Sequence, residues 1–204
     1  MSNFKKEDLD NLISELAKFS NITSNPEFDA DDINYDIKEK IDEYRIPINF
    51  VNKSTNPDPS YAKEGDSGFD LRADIDVSQY DPLDLTEDGG VLLSKMSYTL
   101  VSTGLYFEIP KGYELQVRPR SGLAAKHGIT VLNSPGTVDS GYRGEVKVIL
   151  YNLGYKEFII KQGDRIAQAV IAPVCSTDII KLNKTYVLGD SERGEKGFGS
   201  TGSE

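Results

Sequence analysis

The sequence predicts an all-β sandwich or barrel from about Pro47 onward, preceded by a helical N-terminal extension. Three observations carry this. Apolar and β-branched residues alternate over short runs: Ile48 and Phe50; Leu100, Val101, Leu105 and Phe107; Leu115 and Val117; Val146, Val148 and Leu150; Ile166 and Val170. Such alternation marks strands with one buried face. Gly, Pro, Asn and Asp punctuate the runs, in NPDPS, EIPKGY, NSPG, NLGYKE and KQGD, and short strands with frequent turn signals favour a sandwich or barrel over βαβ units. Beyond residue 46 the one helical candidate is SGLAAKHG, too short to change the class.

The elements follow in chain order. Residues 1–46 hold twelve Asp/Glu against six Lys/Arg, a net −6 of the whole chain's −10. Leu9, Leu12, Ile13 and Leu16 recur at helical spacing between Phe4 and Phe19, and Ile37, Ile41 and Tyr44 repeat the pattern after a polar linker containing Pro26. One or two amphipathic helices are expected. They pack on their own domain or stay frayed, or else form an arm for an unknown protein partner. YDPLDLTEDGG (80–90) reads as a surface loop insertion. The expected division is an acidic helical extension (1–45), a β domain (46–188) and a Gly-rich tail (189–204). There is no internal repeat.

Composition removes several function classes. A net charge of −10 argues against stable binding to nucleic-acid polymers or anionic membranes. No apolar run approaches membrane-spanning length, and the N-terminus lacks an apolar signal core. Cys175 is the only cysteine, which excludes an internal disulfide and suggests a reducing compartment. The expectation is a soluble, intracellular, cytoplasmic protein, with a nuclear or phage-encoded setting in a host cell left open. One His and one Cys cannot build a Cys/His zinc site. His127, in the polar stretch AAKHGI, fits a structural or exposed role better than a Ser-His-Asp arrangement. No P-loop is present. Gly197, Gly199 and Gly202 spell G-x-G-x-x-G, but that fingerprint needs a helix after it, and two residues follow. Carboxylates, arginines and glycine-rich loops remain. That set suits a Mg²⁺-bound phosphate substrate, because Mg²⁺ keeps waters and takes few protein carboxylates.

Five segments stand out as sites. GDSGFDLRAD (65–74) offers Asp70 in a strand-like setting. PRSGLAAKHG (119–128) places Arg120 and Ser121 beside Gly122 at an expected helix start, where backbone N–H groups favour anions. VLNSPGTVDSGYRGEV (131–146) is hairpin-like and carries Asn133, Asp139 and Tyr142. GDRIAQ (163–168) supplies Arg165 and Gln168, and RGEKGFGSTG (193–202) closes the set. Taken singly, each also has a plain structural explanation: a turn into a strand, a packed aromatic, a solvated charge.

Together and in this order, SGFDL, PRSGLA, VDSGYRGEV, GDRIAQ and RGEKGFGSTG closely resemble the five motifs of the trimeric dUTP diphosphatase (dUTPase) family. The resemblance covers roughly residues 46–202. It leaves aside the first 45 residues and the 80–90 loop. Lys196 departs from it, standing where the family often has a small residue. The resemblance implies a jelly-roll-like β-barrel or sandwich. It also implies Mg²⁺-dependent hydrolysis of dUTP to dUMP and pyrophosphate, in a homotrimer whose active sites are shared between subunits.

The same resemblance assigns roles. Asp139 would be the general base. Asn133 with backbone groups of Gly136 and Val138 would read the uracil edge, and Tyr142 would lie beneath the deoxyribose. Arg120, Ser121, Gly122 and Gln168 would hold phosphates. Asp70 would reach the metal indirectly, through water. In the tail, Phe198 would stack on uracil while Arg193, Gly199, Ser200 and Thr201 hold phosphates, so the tail would act as a lid. Two rivals share the fold. A dCTP deaminase would show a doubled serine after the second-motif arginine and a hairpin without Asp139. A non-catalytic regulatory protein would have lost the base or the tail. Neither pattern is present.

Overall fold

The computed structural model describes residues 45–175 and 180–195. The chain divides into two units between Ile48 and Asn49, and every strand among the described residues belongs to the second. The helices expected in residues 1–44 lie outside the described residues.

Among the described residues, ten strands form three antiparallel sheets. The first orders β1 (Asn49–Asn52), β4 (Tyr98–Glu108), β8 (Glu145–Asn152) and β6 (Ile129–Val131) as β1-β4-β8-β6. The second contains β2 (Phe69–Arg72), β10 (Arg165–Pro173), β5 (Tyr113–Arg118) and β7 (Gly136–Val138) in the order β2-β10-β5-β7. A ribbon of β3 (Val91–Leu93) and β9 (Phe158–Ile160) completes the set. The expected all-β sandwich is therefore the observed one.

Alternation places the core. In β8, Val146, Val148, Leu150 and Asn152 are buried while the residues between them are not. Strand β5 buries Leu115 and Val117, and β2 buries Phe69 and Leu71. Phe69 of the second sheet meets Phe107 of the first with ring centroids 5.9 Å apart, so the inner faces join there. Each such aliphatic or aromatic side chain contributes about 1.5–3 kcal/mol when fully buried. Buried polar groups are satisfied locally. Asn152, wholly buried, donates from Nδ2 to the Leu93 carbonyl (3.0 Å) and the Lys156 carbonyl (2.9 Å), and its Oδ1 accepts from the Gly154 N–H.

The 80–90 segment is a surface excursion, as expected, but it is not featureless. Pro82–Asp84 makes a 3-10 turn whose first N–H groups are capped by Asp81, which accepts from the Leu83 amide at 2.9 Å. Thr86 then closes a tight turn through hydrogen bonds with Gly90, and Leu85 bridges to Val91.

The 131–146 segment departs from expectation. It is not a two-stranded ladder: β6 pairs with β8 in the first sheet, whereas β7 pairs with β5 in the second. The Leu132 amide continues the β6–β8 pairing by donating to the Ile149 carbonyl (2.9 Å), and Pro135 has no N–H to offer a partner. The chain therefore crosses between layers at residues 132–135 and delivers Gly136–Val138 to the edge of the second sheet.

Candidate active site

The one α-helix among the described residues, α1 (Ser121–His127), follows β5 and packs against β6. Arg120 is its N-cap, and the helix ends on Gly128 at φ 71°, whose amide donates to the Ala124 carbonyl. That left-handed conformation suits glycine because an L side chain there crowds its own backbone. The first-turn amides of any helix lack intrahelical acceptors, so Ser121 and Gly122 present N–H groups outward.

Asp70, Arg120 and Gln168, all expected site residues, converge around this turn together with Arg165. Register sets Asp70 on β2 opposite Gln168 on β10, and Gln168 opposite Arg118 on β5. Both oxygens of Asp70 meet a guanidinium: Oδ1 lies 3.0 Å from Arg120 Nε and Oδ2 3.3 Å from Arg165 Nη1. Arg120 also donates to the Arg165 backbone carbonyl (2.8 Å), and Gln168 Nε2 donates to the Pro119 carbonyl (2.9 Å). The β2–β10 register shifts between Arg165 and Ala167, and Arg165 is exposed. Asp70 stays about one-third exposed, so its oxygens can accept further hydrogen bonds. The cluster carries two cations for one anion in a chain of net charge −10. Arg165 joins the site without a role implied by the motif resemblance, and the D-R pair of GDRIAQ is its signal in the sequence.

A second group forms around β7. Gly136 pairs with Val117, and a Cβ at Gly136 would come 3.1 Å from the Asn133 amide nitrogen, so Asn133 folds against this glycine. Val138 ends the strand and is followed by Asp139, which is exposed. The Asp139 carbonyl accepts from the Tyr142 amide (3.0 Å), and the Tyr142 hydroxyl donates to the Glu145 carbonyl (3.1 Å). Glu145 anchors this loop to the first sheet: its Oε1 accepts from the amides of Thr103 (3.1 Å) and Gly104 (2.9 Å).

Within one chain the two groups stay apart. Asp139 lies three strands across and four residues along from Asp70, a separation on the order of 20 Å at strand dimensions. Among the described residues no hydrogen bond or ion pair joins them. Arg193 is exposed next to a turn in which the Gly194 amide donates to Ser191. Phe198, Gly199, Ser200, Thr201 and Lys196 lie outside the described residues. His127 is exposed and packs its ring 5.3 Å from Phe158, as a structural histidine would.

The family model described as dUTPase matches residues 82–202. The chain belongs to the dUTPase family. The match begins inside the 80–90 segment, which the motif resemblance leaves aside. A deoxyuridine 5'-triphosphate nucleotidohydrolase from Rhizobium etli (strain CIAT 652) is 52% identical over 144 residues, 71% of this chain and 84% of the relative. That of Neorickettsia sennetsu is 52% identical over 146 residues, 72% of this chain and 88% of the relative. Among solved structures, a mutant of the phage 80alpha dUTPase superposes with a TM-score of 0.62 at 22% identity, covering 76% of this chain and 98% of the other. The Staphylococcus bacteriophage 80alpha dUTPase with dUPNHPP gives 0.58 at 25% identity, with the same coverage. A dUTPase from phage phi11 of S. aureus, described with a structural Mg(II) ion, gives 0.55 at 18% identity, covering 70% of this chain and 100% of that one. The expected dUTPase-type fold is thus observed. Among the described residues no helix is long and apolar enough to cross a membrane.

Proposed function

We propose that this protein hydrolyses dUTP to dUMP and pyrophosphate by attack of water at the α-phosphorus. In a cell that reaction limits uracil incorporation into DNA and supplies dUMP for thymidylate synthesis. The observation that carries the proposal is the Arg120–Asp70–Arg165 cluster beside Gln168 and the outward amides of Ser121 and Gly122. It is a cradle for a polyanion on a chain that is otherwise acidic, in a family whose named relatives act on dUTP.

Arg120, the Ser121 hydroxyl, the Ser121 and Gly122 amides and Gln168 bind the phosphates. Phosphoryl transfer is catalysed chiefly by positioning and by charge stabilisation, which these donors supply. Arg165 holds Asp70 and Arg120 in place. Mg²⁺ fits this site as an ion carried mainly by substrate oxygens, since such ions retain waters and take one or two carboxylates. Asp70, partly exposed beside the cradle, is the carboxylate available to accept from its waters. When bound, the ion neutralises phosphate charge.

Asp139 is the general base that takes the proton of the attacking water, a task requiring an approach of about 2.6–3.2 Å. Asn133 with the backbone of Gly136 and Val138 reads the uracil edge. Cytosine presents the reversed donor and acceptor pattern there and leaves polar groups unpaired, which supports discrimination on the order of 10⁴. Tyr142 underlies the sugar. The 20 Å scale separation of Asp139 from the cradle favours a site assembled from different subunits of a homotrimer, with residues 46–188 as the β domain. The tail, residues 189–204, closes over it: Arg193, Gly199, Ser200 and Thr201 engage phosphates and Phe198 stacks on uracil, as a lid excludes water and aligns substrate. The extension 1–45 stays outside this chemistry.

The test is pyrophosphate release by the purified full chain with Mg²⁺. We expect rapid release from dUTP and little from dCTP, dTTP or UTP. A protein that spares dUTP, or that hydrolyses all four alike, overturns the proposal.

A further inference from the structure

Tyr142 occupies its position through a close backbone approach. A Cβ built on Gly144 would lie 2.5 Å from Tyr142 Cζ and 2.9 Å from Cε2, and closer still to the hydroxyl. Distances below 3 Å are not tolerated by real Cβ atoms, so the ring lies against the bare Cα of residue 144. The hydroxyl is held at the far end by the Glu145 carbonyl, 3.1 Å away. That carbonyl is fixed in turn, because the Glu145 carboxylate accepts from two amides of β4, those of Thr103 and Gly104. Glycine at 144 and an anchored carbonyl at 145 together make a seat for one aromatic ring. The ring is nearly half exposed.

We propose that Gly144, acting with the Glu145 carbonyl, is a positioning residue for sugar specificity: it sets the height of the Tyr142 ring and thereby how strictly a 2′-hydroxyl is refused. The inference rests on Tyr142 lying beneath the deoxyribose. The atoms that a new Cβ would strike are the far end of a side chain on the surface, which yields by moving the ring and leaves the fold intact. A Cβ at 144 strikes the hydroxyl end of the ring and lifts it off the Glu145 carbonyl. A ring without that anchor yields to a 2′-hydroxyl instead of standing as a fixed wall, so the preference for dUTP over UTP declines.

The experiment compares kcat/KM for dUTP and UTP in the full-length wild type, Gly144→Ala and Tyr142→Phe, with a melting curve for each. For Gly144→Ala the dUTP-to-UTP ratio should fall by about tenfold, the scale at which a methyl-sized misfit registers in a binding site, with an unchanged melting temperature. Tyr142→Phe keeps the ring and Gly144 but removes the hydroxyl anchor; its ratio should fall by the few-fold that one hydrogen bond supports. A Gly144→Ala protein that melts like wild type and keeps the wild-type ratio overturns the seat. If Gly144→Ala does not fold, an unchanged ratio in Tyr142→Phe overturns it equally. A wild type without dUTP turnover instead overturns the function proposed above, so the two failures are separable.

Discussion

At the scale of single residues, Asp139 and Asp88 make an instructive contrast between two exposed carboxylates. In the proposed reaction Asp139 works as a base, and Asp139→Asn keeps the size of the side chain while abolishing proton acceptance. Turnover should drop about 10²–10⁴-fold, the usual share of general-base catalysis, while dUTP binding measured by calorimetry stays near wild type. A near-normal rate would remove Asp139 from the role. Asp88 has no such task; it is tied to the surface by Lys161 Nζ at 2.7 Å and by the Thr86 hydroxyl at 2.6 Å. Those hydrogen bonds, that from Lys161 foremost, hold its carboxyl down from 3.8 to about 2. Because the folded value is depressed, the stabilisation from Asp88 is present above pH 3.8 and is lost as the pH falls through about 2. Lys161 is raised by the same partner, so its share is present below its ordinary 10.5 and is lost at higher pH. An NMR titration of the Asp88 carboxyl should show the low midpoint in the wild type and a return toward 3.8 in Lys161→Ala; a midpoint unmoved by that substitution would contradict the pairing.

At the scale of elements, α1 depends on its ends because none of its residues is buried. Gly128 terminates it at φ 71°, and a Cβ there would meet the backbone of Gly154 at 2.6 Å from the nitrogen and 2.8 Å from Cα. Gly128→Ala should therefore cost at least the 1–2 kcal/mol or so of a left-handed alanine, read as a lower denaturant midpoint; an unchanged midpoint would show that the turn relaxes freely. Elements of this kind were largely legible in the sequence. Val146, Val148 and Leu150 announce β8 by alternation, and SGLAAKHG marks α1 by its serine start and glycine stop. The 131–146 segment is less legible, because Asn-Ser-Pro-Gly signals a turn without saying which strand each flank will pair with. Pairing across layers is a tertiary choice, decided by the free edges of β5 and β8. For the same reason Asp70, Arg120, Ser121, Gly122 and Gln168 could be named in advance, while the two-arginine grip on Asp70 could not. Nothing in the local composition of GDRIAQ says that its arginine will face a carboxylate from a strand 95 residues earlier.

At the scale of the whole molecule, the distance between the cradle and Asp139 makes assembly a chemical requirement of the proposed reaction. Two separately inactive variants should then repair one another. Asp139→Asn contributes an intact cradle and Arg120→Ala an intact 131–146 segment; unfolded together and refolded as a mixture, they should regain dUTP turnover that neither homogeneous protein has. Failure of the mixture, with mixed oligomers verified by mass spectrometry, would place each site within one chain. The Asp70 grip on two arginines has a further consequence for the encounter with substrate. It leaves a single uncompensated positive charge at the cradle of a chain whose overall charge is −10. At physiological ionic strength the Debye length is about 8 Å, so an approaching triphosphate is scarcely repelled by the net charge of the chain and meets the arginines only on arrival. In dilute buffer that screening thins and the repulsion reaches further out, so capture slows where an enzyme that steers its anion from afar would speed up.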